Sequence, residues 1–326
     1  MRLFNFDWRD YRQAYLDQGL VHIPSGATDE VCAAVLESLR SHTDSQTGAG
    51  TEIIGAKAQF LFDLPSGIYD DLFDVVAGLG GLKRESMTLS ERHIKVYEVD
   101  ADPNPYPHKD RLASQVALGI SVTVPQGSHI VFYPDDHREV NPFFSAGLRE
   151  RLAPDELPEV LLRGCREVVI HDRPGDVLAF RGSSIWHLRR QAAGTVNLYL
   201  KFNDFDCDPL GEDPETDARS AWTTAVLTGD EAPLLASMPR LSRRFDSLVR
   251  ERSRVGWEER SSASVWGSPP VPLAAGEEAL LELLDGNASV AVVAAGAGHG
   301  LSADTAVSAL RRLASRGVVD LIAAAQ

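Results

Sequence analysis

Two histidines and an aspartate carry the strongest chemical signal in this chain. In the run Tyr106-Pro107-His108-Lys109-Asp110, His108 and Asp110 stand two positions apart. On extended backbone, residues i and i+2 point to the same face, so this imidazole and this carboxylate can converge on one metal ion. A third donor must come from a segment distant in sequence. His187 meets that need, at the end of Gly175-Asp176-Val177-Leu178-Ala179-Phe180-Arg181-Gly182-Ser183-Ser184-Ile185-Trp186-His187. Two histidines and one carboxylate form a facial triad suited to iron(II), and three coordination positions stay open. Those positions can take two oxygens of a keto acid and then dioxygen. In isolation, His108 and Asp110 would read as a surface pair after a proline-rich turn. His187 in its context shifts that balance. His137-Arg138-Glu139 is a competing H-x-E, but it lies in a charged run, 135–139, that reads as a solvated turn. His129 and His171 flank strands without a carboxylate at i+2, so they read as structural. Trp186 reads as packing, and Asp176 as the residue that makes the turn before its strand.

The elements that must position these residues are mostly strands. Residues 93–99 alternate polar and apolar. A proline-rich loop over 102–107 follows, then apolar runs over 116–124 and 130–133. A helical insert is predicted over 144–162, and strands resume at 167–170, 176–180, 185–187 and 196–202. Many short strands with Gly/Pro turns, and no regular β-α alternation, indicate a barrel or double-sheet jelly roll. Ahead of them, helical spacing over 7–16, a short run over 20–23 ended by Pro24, and a helix capped by Thr28 form an N-terminal layer. Residues 41–50 read as a loop and 66–79 as a further helix stopped by Gly80-Gly81.

The HxD pair, the Gly-Asp turn, the strand after it and the distal histidine together resemble the Fe(II)/2-oxoglutarate-dependent oxygenase superfamily. The opening Tyr15-Leu16-Asp17-Gln18-Gly19-Leu20-Val21-His22-Ile23-Pro24, followed by a capped helix, resembles the start of its phytanoyl-CoA hydroxylase-like branch. The resemblance spans roughly residues 10–205. It implies a double-stranded β-helix (jelly roll, cupin-like) core with flanking helices. It also implies iron(II), 2-oxoglutarate as co-substrate, dioxygen, and hydrogen abstraction from a substrate. Halogenases of the family carry a small residue where Asp110 stands here. Hydroxylation is therefore favoured, with desaturation and ring closure as variants. The family also has an arginine about 10 to 15 residues after the distal histidine, which pairs with the far carboxylate of the keto acid. The strand over 196–202 contains no arginine. Lys201, which shares a strand face with Asn197 and Tyr199, is the first candidate for that anchor, since a lysine can hold a carboxylate as a point charge. Arg189, Arg190 and Lys95 are its competitors.

Composition bounds the rest. The net charge of −15, from 32 basic and 47 acidic residues, argues against a nucleic-acid ligand and suits a cationic or sugar-containing small molecule. Cys32, Cys165 and Cys207 form no CxxC pair, so neither a disulfide framework nor a zinc site is expected. The start of the chain lacks a signal-peptide apolar run, and nothing reads as a membrane span, so a cytoplasmic protein is expected. Three regions are expected: 1–210 for the oxygenase domain, 211–268 for a helical extension and linker, and 269–326 for a small module. Residues 218–255 read as helical and 261–272 as a Ser/Gly/Pro linker. The last module shows helical patterns at 277–284, 289–295 and 303–316, then an apolar run at 318–325. Its residues 309–321 resemble the last helix and wing of winged-helix modules, though its third helix is too weakly basic for DNA. A dimerisation or substrate-lid role fits better. The competing function is a cupin-like metal or ligand sensor that signals through that module.

Overall fold

The computed structural model describes residues 1–44, 57–143, 147–256, 258–297 and 301–323. The chain divides into two compact units, Met1–Asp206 and Cys207–Gln326. In the first, α1 (Arg9–Gln18), β1 (Leu20–Ile23), α2 (Asp29–Asp44), β2 (Lys57–Leu61) and α3 (Tyr69–Gly80) precede the long strand β3 (Thr88–Tyr97). Then come β4 (Val116–Thr123), β5 (His129–Tyr133), the short helix α4 (Pro158–Leu161), β6 (Val168–Ile170), β7 (Val177–Phe180), β8 (Trp186–Arg190) and β9 (Val196–Asn203). They build two antiparallel sheets, a six-stranded one in the order β1-β7-β4-β9-β3-β2 and a three-stranded one in the order β6-β5-β8.

Period-2 alternation gives the large sheet two different faces. Leu118, Ile120, Leu198, Leu200, Phe202 and Ile94 join one core with Tyr15, Val31, Val35, Leu72, Val76 and Leu79 of the three helices. On the other face, Leu20, Ala117, Leu178 and Phe180 pack against Ile130, Phe132 and Ile170 of the small sheet. This second apolar core fills only the β7 side. Along β3 and β9 the same inner face carries Glu91, His93, Lys95 and Tyr97, opposite Lys201, Tyr199 and Asn197. The inner half of the fold is therefore polar, and this is where the site lies. Gly119 makes room there, since a Cβ on it would come within 3.1 Å of the Tyr199 ring.

Several sequence expectations need correction. The strand expected from His93 begins at Thr88, and β2, which pairs with it, carried no sequence signal strong enough to mark it. The insert expected to be helical over 144–162 holds only α4 and a single 3-10 turn at Arg149–Arg151, because Pro154 and Pro158 interrupt it. Its residues 144–146 lie outside the described residues, as do 45–50 of the loop expected over 41–50; α2 runs on to Asp44.

In the second unit, α5 (Pro214–Thr228) and α6 (Glu231–Ala236) lead into strands rather than more helix. These are β10 (Met238–Leu241), β11 (Phe245–Arg252), β12 (Glu259–Val265) and β13 (Val271–Leu273). The stretch expected to be a linker thus forms β12 and β13, which pair with each other, and β11 joins them. Exposed β11 gave no clean alternation, and Arg252 instead pairs across the hairpin with Glu259. Helices α7 (Glu277–Leu281), α8 (Val290–Gly296) and α9 (Ala303–Ser315) match the expected pattern. Strand β14 (Val319–Ile322) then pairs antiparallel with β10. Residues 324–326, the end of that apolar run, lie outside the described residues. No helix among the described residues is long and apolar enough to cross a membrane.

Candidate metal centre

His108 and His187 are joined through their backbones before their side chains meet. Each donates its N–H to the other's carbonyl, both at 2.9 Å, as an antiparallel bridge at the open edge of β8. In such a doubly bonded pair the two side chains lie on one face. The imidazole centroids stand 4.4 Å apart. Asp110 follows two residues later, tied by its N–H to the Gly182 carbonyl at 2.9 Å and by its carbonyl to the Asn141 amide at 2.8 Å. The donor atoms of His108, Asp110 and His187 all lie within 4.8 Å of one another, the single such group among the described residues.

Each of the three side chains offers a donor atom that suits a metal ion. His187 Nδ1 donates to the Ile185 carbonyl at 2.9 Å, which leaves Nε2 bare and aimed at the centre. Burial pushes the His187 imidazole below its usual range, against the pull of Asp110, so the ring is neutral at pH 7. Phe132 stacks on it and Phe180 meets it edge-on. Burial alone would raise the Asp110 carboxyl. The Lys201 ammonium, with His187, Lys95 and His108, outweighs burial and keeps it ionised far down the pH scale. Its Oδ2 is buried with no hydrogen-bond partner. An orphaned carboxylate oxygen beside two imidazoles fits a metal ion, because a bare buried charge is otherwise costly. Gly182 provides the cradle: a Cβ there would stand 2.5 Å from that Oδ2.

Lys109, between His108 and Asp110, points the other way. Its ammonium donates to the carbonyls of His137 and Glu139 at 2.6 Å each and lies over the Trp186 ring. Burial pulls it down to about 8, opposed by Glu139. Of the competing H-x-E, the backbone contributes to this contact, and the Glu139 side chain is 80% exposed. His129 and His171 meet each other with tilted rings, outside the triad group. Asp176 makes its turn as expected, accepting from the N–H groups of Ser25 and Arg173 and contacting His22.

The co-substrate candidates fall into four environments. Lys201 Nζ lies 2.9 Å from Asp110 Oδ1 and 3.2 Å from Glu91 Oε2. Lys95, on β3 opposite Asn197, sits 3.4 Å from Glu91 and over the Tyr199 ring. Asn197 Nδ2 reaches the Tyr199 hydroxyl at 3.4 Å, and its Oδ1 is buried without a partner. Arg189 is already engaged, bonding both oxygens of Asp172 and the Ser128 hydroxyl. Arg190 lies farther out, on Asn104 and Glu167. Tyr97 and Tyr199 stay neutral, since burial raises both phenols.

Glu91 is the central residue that sequence reasoning missed. It is 1% exposed, and burial would raise its carboxyl, but Lys201, Lys95, His93 and Arg111 hold it well below the usual range. Its only sequence signal was a carboxylate at i−4 from Lys95 on one strand face. Gly182 and Asn141 were also invisible, because their contacts are made across the fold.

No protein-family model matches the chain, and a search of curated proteins finds no match. Solved structures do resemble it. SnoK, a non-haem alpha-ketoglutarate-dependent carbocyclase from nogalamycin biosynthesis, is 16% identical over 63% of this chain and 87% of its own, with a TM-score of 0.47. HygX from Streptomyces hygroscopicus, with nickel, 2-oxoglutarate and hygromycin B bound, is 16% identical over 61% and 87%, TM-score 0.42. EctD from S. alaskensis, with 2-oxoglutarate and 5-hydroxyectoine, is 13% identical over 61% and 76%, TM-score 0.43.

Proposed function

We propose that the chain is a mononuclear non-haem iron(II) oxygenase that uses 2-oxoglutarate and dioxygen to hydroxylate a small metabolite. Desaturation and oxidative ring closure are alternative outcomes of the same hydrogen abstraction. The observation that carries this reading is the convergence of His108, Asp110 and His187 on one point, with Asp110 Oδ2 orphaned there. These three residues would hold the metal, which together with the keto acid supplies the oxidising chemistry.

The other residues bind, orient and exclude. Phe132, Phe180 and Ile185 close the β7 side against water. Lys201 lies against Asp110 itself, so its charge would act directly on a metal held by that carboxylate. Lys95, four residues along β3 from Glu91 and facing Asn197, is the better-placed cation for the far carboxylate. Arg189 is withdrawn from that role by Asp172. The second unit would then serve as an interaction module, with dimerisation its first candidate role.

The test is an anaerobic titration of iron(II) and 2-oxoglutarate into apo-protein, followed by the visible charge-transfer band of the chelate. The band should form and should vanish in Asp110→Ala. Iron binding without the band, in a protein that does not decarboxylate 2-oxoglutarate, would remove the co-substrate and favour a metal sensor with a winged-helix-like partner module. Absence of iron binding would remove the metal site.

A further inference from the structure

The polar inner face carries more positive than negative charge at the triad. Lys95, Lys201 and Arg111 gather on Glu91 and Asp110, three cations to two carboxylates. The Arg189–Asp172 pair adds nothing to the balance, since its charges cancel. Lys201 stands closest. Its side chain is 4% exposed, and it bridges Glu91 Oε2 and Asp110 Oδ1, the carboxylate whose other oxygen is orphaned. Arg111 also has a buried Nη1 without a hydrogen-bond partner. A fixed ammonium in contact with a ligand carboxylate repels a dication in that site and attracts an anion bound next to it. Between groups this buried, solvent screens either effect only weakly.

We propose that Lys201, held by Glu91, sets the charge of the centre so that a divalent metal binds weakly alone and tightly with an anionic chelating co-substrate. The inference rests on the metal and keto-acid reading above. Lys201 is thus not the far-carboxylate anchor but the residue that couples two binding events. By linkage, the factor by which 2-oxoglutarate tightens the metal is the factor by which the metal tightens 2-oxoglutarate. Glu91 acts in the opposite sense: it positions the ammonium and offsets part of its charge.

The probe is manganese(II), which avoids oxidation, titrated with and without saturating 2-oxoglutarate. Lys201→Met should bind manganese(II) alone about tenfold or more tighter than the parent, and the gain from 2-oxoglutarate should shrink by a similar factor. Lys201→Arg should keep the parental coupling. Glu91→Gln should shift both quantities the other way, with weaker metal binding and a larger gain. Thermal unfolding of each variant checks that the fold is kept, and Glu91→Gln tests the idea independently if Lys201→Met does not fold. Unchanged or weaker manganese(II) binding in Lys201→Met, or tighter binding in Glu91→Gln, would overturn the proposal and leave the metal site intact. A parent protein that binds no manganese(II), or gains nothing from 2-oxoglutarate, would overturn the functional reading itself.

Discussion

Gly182 shows how narrowly the site is built. Its carbonyl holds the Asp110 N–H, and its missing side chain leaves the space where Asp110 Oδ2 sits. A methyl group there must push the carboxylate or the turn aside. Gly182→Ala should therefore weaken manganese(II) binding by about 10- to 100-fold, the range seen when a ligand's supporting contacts are lost. Full metal affinity in that variant would show that the carboxylate is not held by this contact. The titrating groups give a second prediction at this scale. The His187 pKa is lowered by burial, so between that value and about 6.5 the unfolded chain binds more protons than the folded one. Stability of the apo-protein should fall as pH drops below about 6.5 and fall again through the carboxylate range, where unfolded Asp110 and Glu91 would protonate. Denaturant titrations from pH 8 to 4 measure it. For His187→Ala, the first decline should be shallower.

Among the elements, the segment carrying Glu139, Asn141 and Phe143 is hydrogen-bonded to the stretch that carries His108 and Asp110 and to Ser183. Lys109 bonds its carbonyls, Asn141 bonds Asp110 and Ser183, and Phe143 accepts from Leu112. Lys109→Met leaves two carbonyls without their charged donor, a loss of about 1.5–3 kcal/mol per bond at most. Hydrogen exchange at the Asn141 amide should accelerate, with the β4 and β9 amides unaffected; an unchanged Asn141 would show that the segment is held elsewhere. The large sheet behaves differently, because its stability lies in the helix-covered face. Leu200 is fully buried there, so Leu200→Ala should cost about 2–5 kcal/mol of unfolding free energy.

Over the whole molecule, charge is segregated. The chain carries −15 overall, yet the triad is surrounded by a surplus of cations. The acidic balance that made a cationic substrate attractive therefore describes the chain as a whole, and the local charge around the triad has the opposite sign. Because a metal that binds only the folded state stabilises it by mass action, manganese(II) at a hundred times its dissociation constant should add about 2.7 kcal/mol. A chelator should reverse the rise in unfolding temperature, and Asp110→Ala should show none.

The sequence by itself picked out His108, Asp110 and His187, the strand that carries His187 and the mainly β architecture. Those features are local: HxD spacing sets a shared face on extended backbone, and apolar β-rich runs mark strands such as β4 and β9 whatever they pair with. The last three helices were legible for the same reason. Tertiary structure alone decided which cation stands where. In the sequence Lys201 ranks first and Arg189 competes with it as the keto-acid anchor, but only the fold set Lys201 opposite Glu91 and left Arg189 on Asp172. The hairpin of β11 and β12 was hidden because exposed strands need no apolar alternation, and Glu91 and Gly182 were hidden because a buried charge and a close approach exist only once distant segments meet.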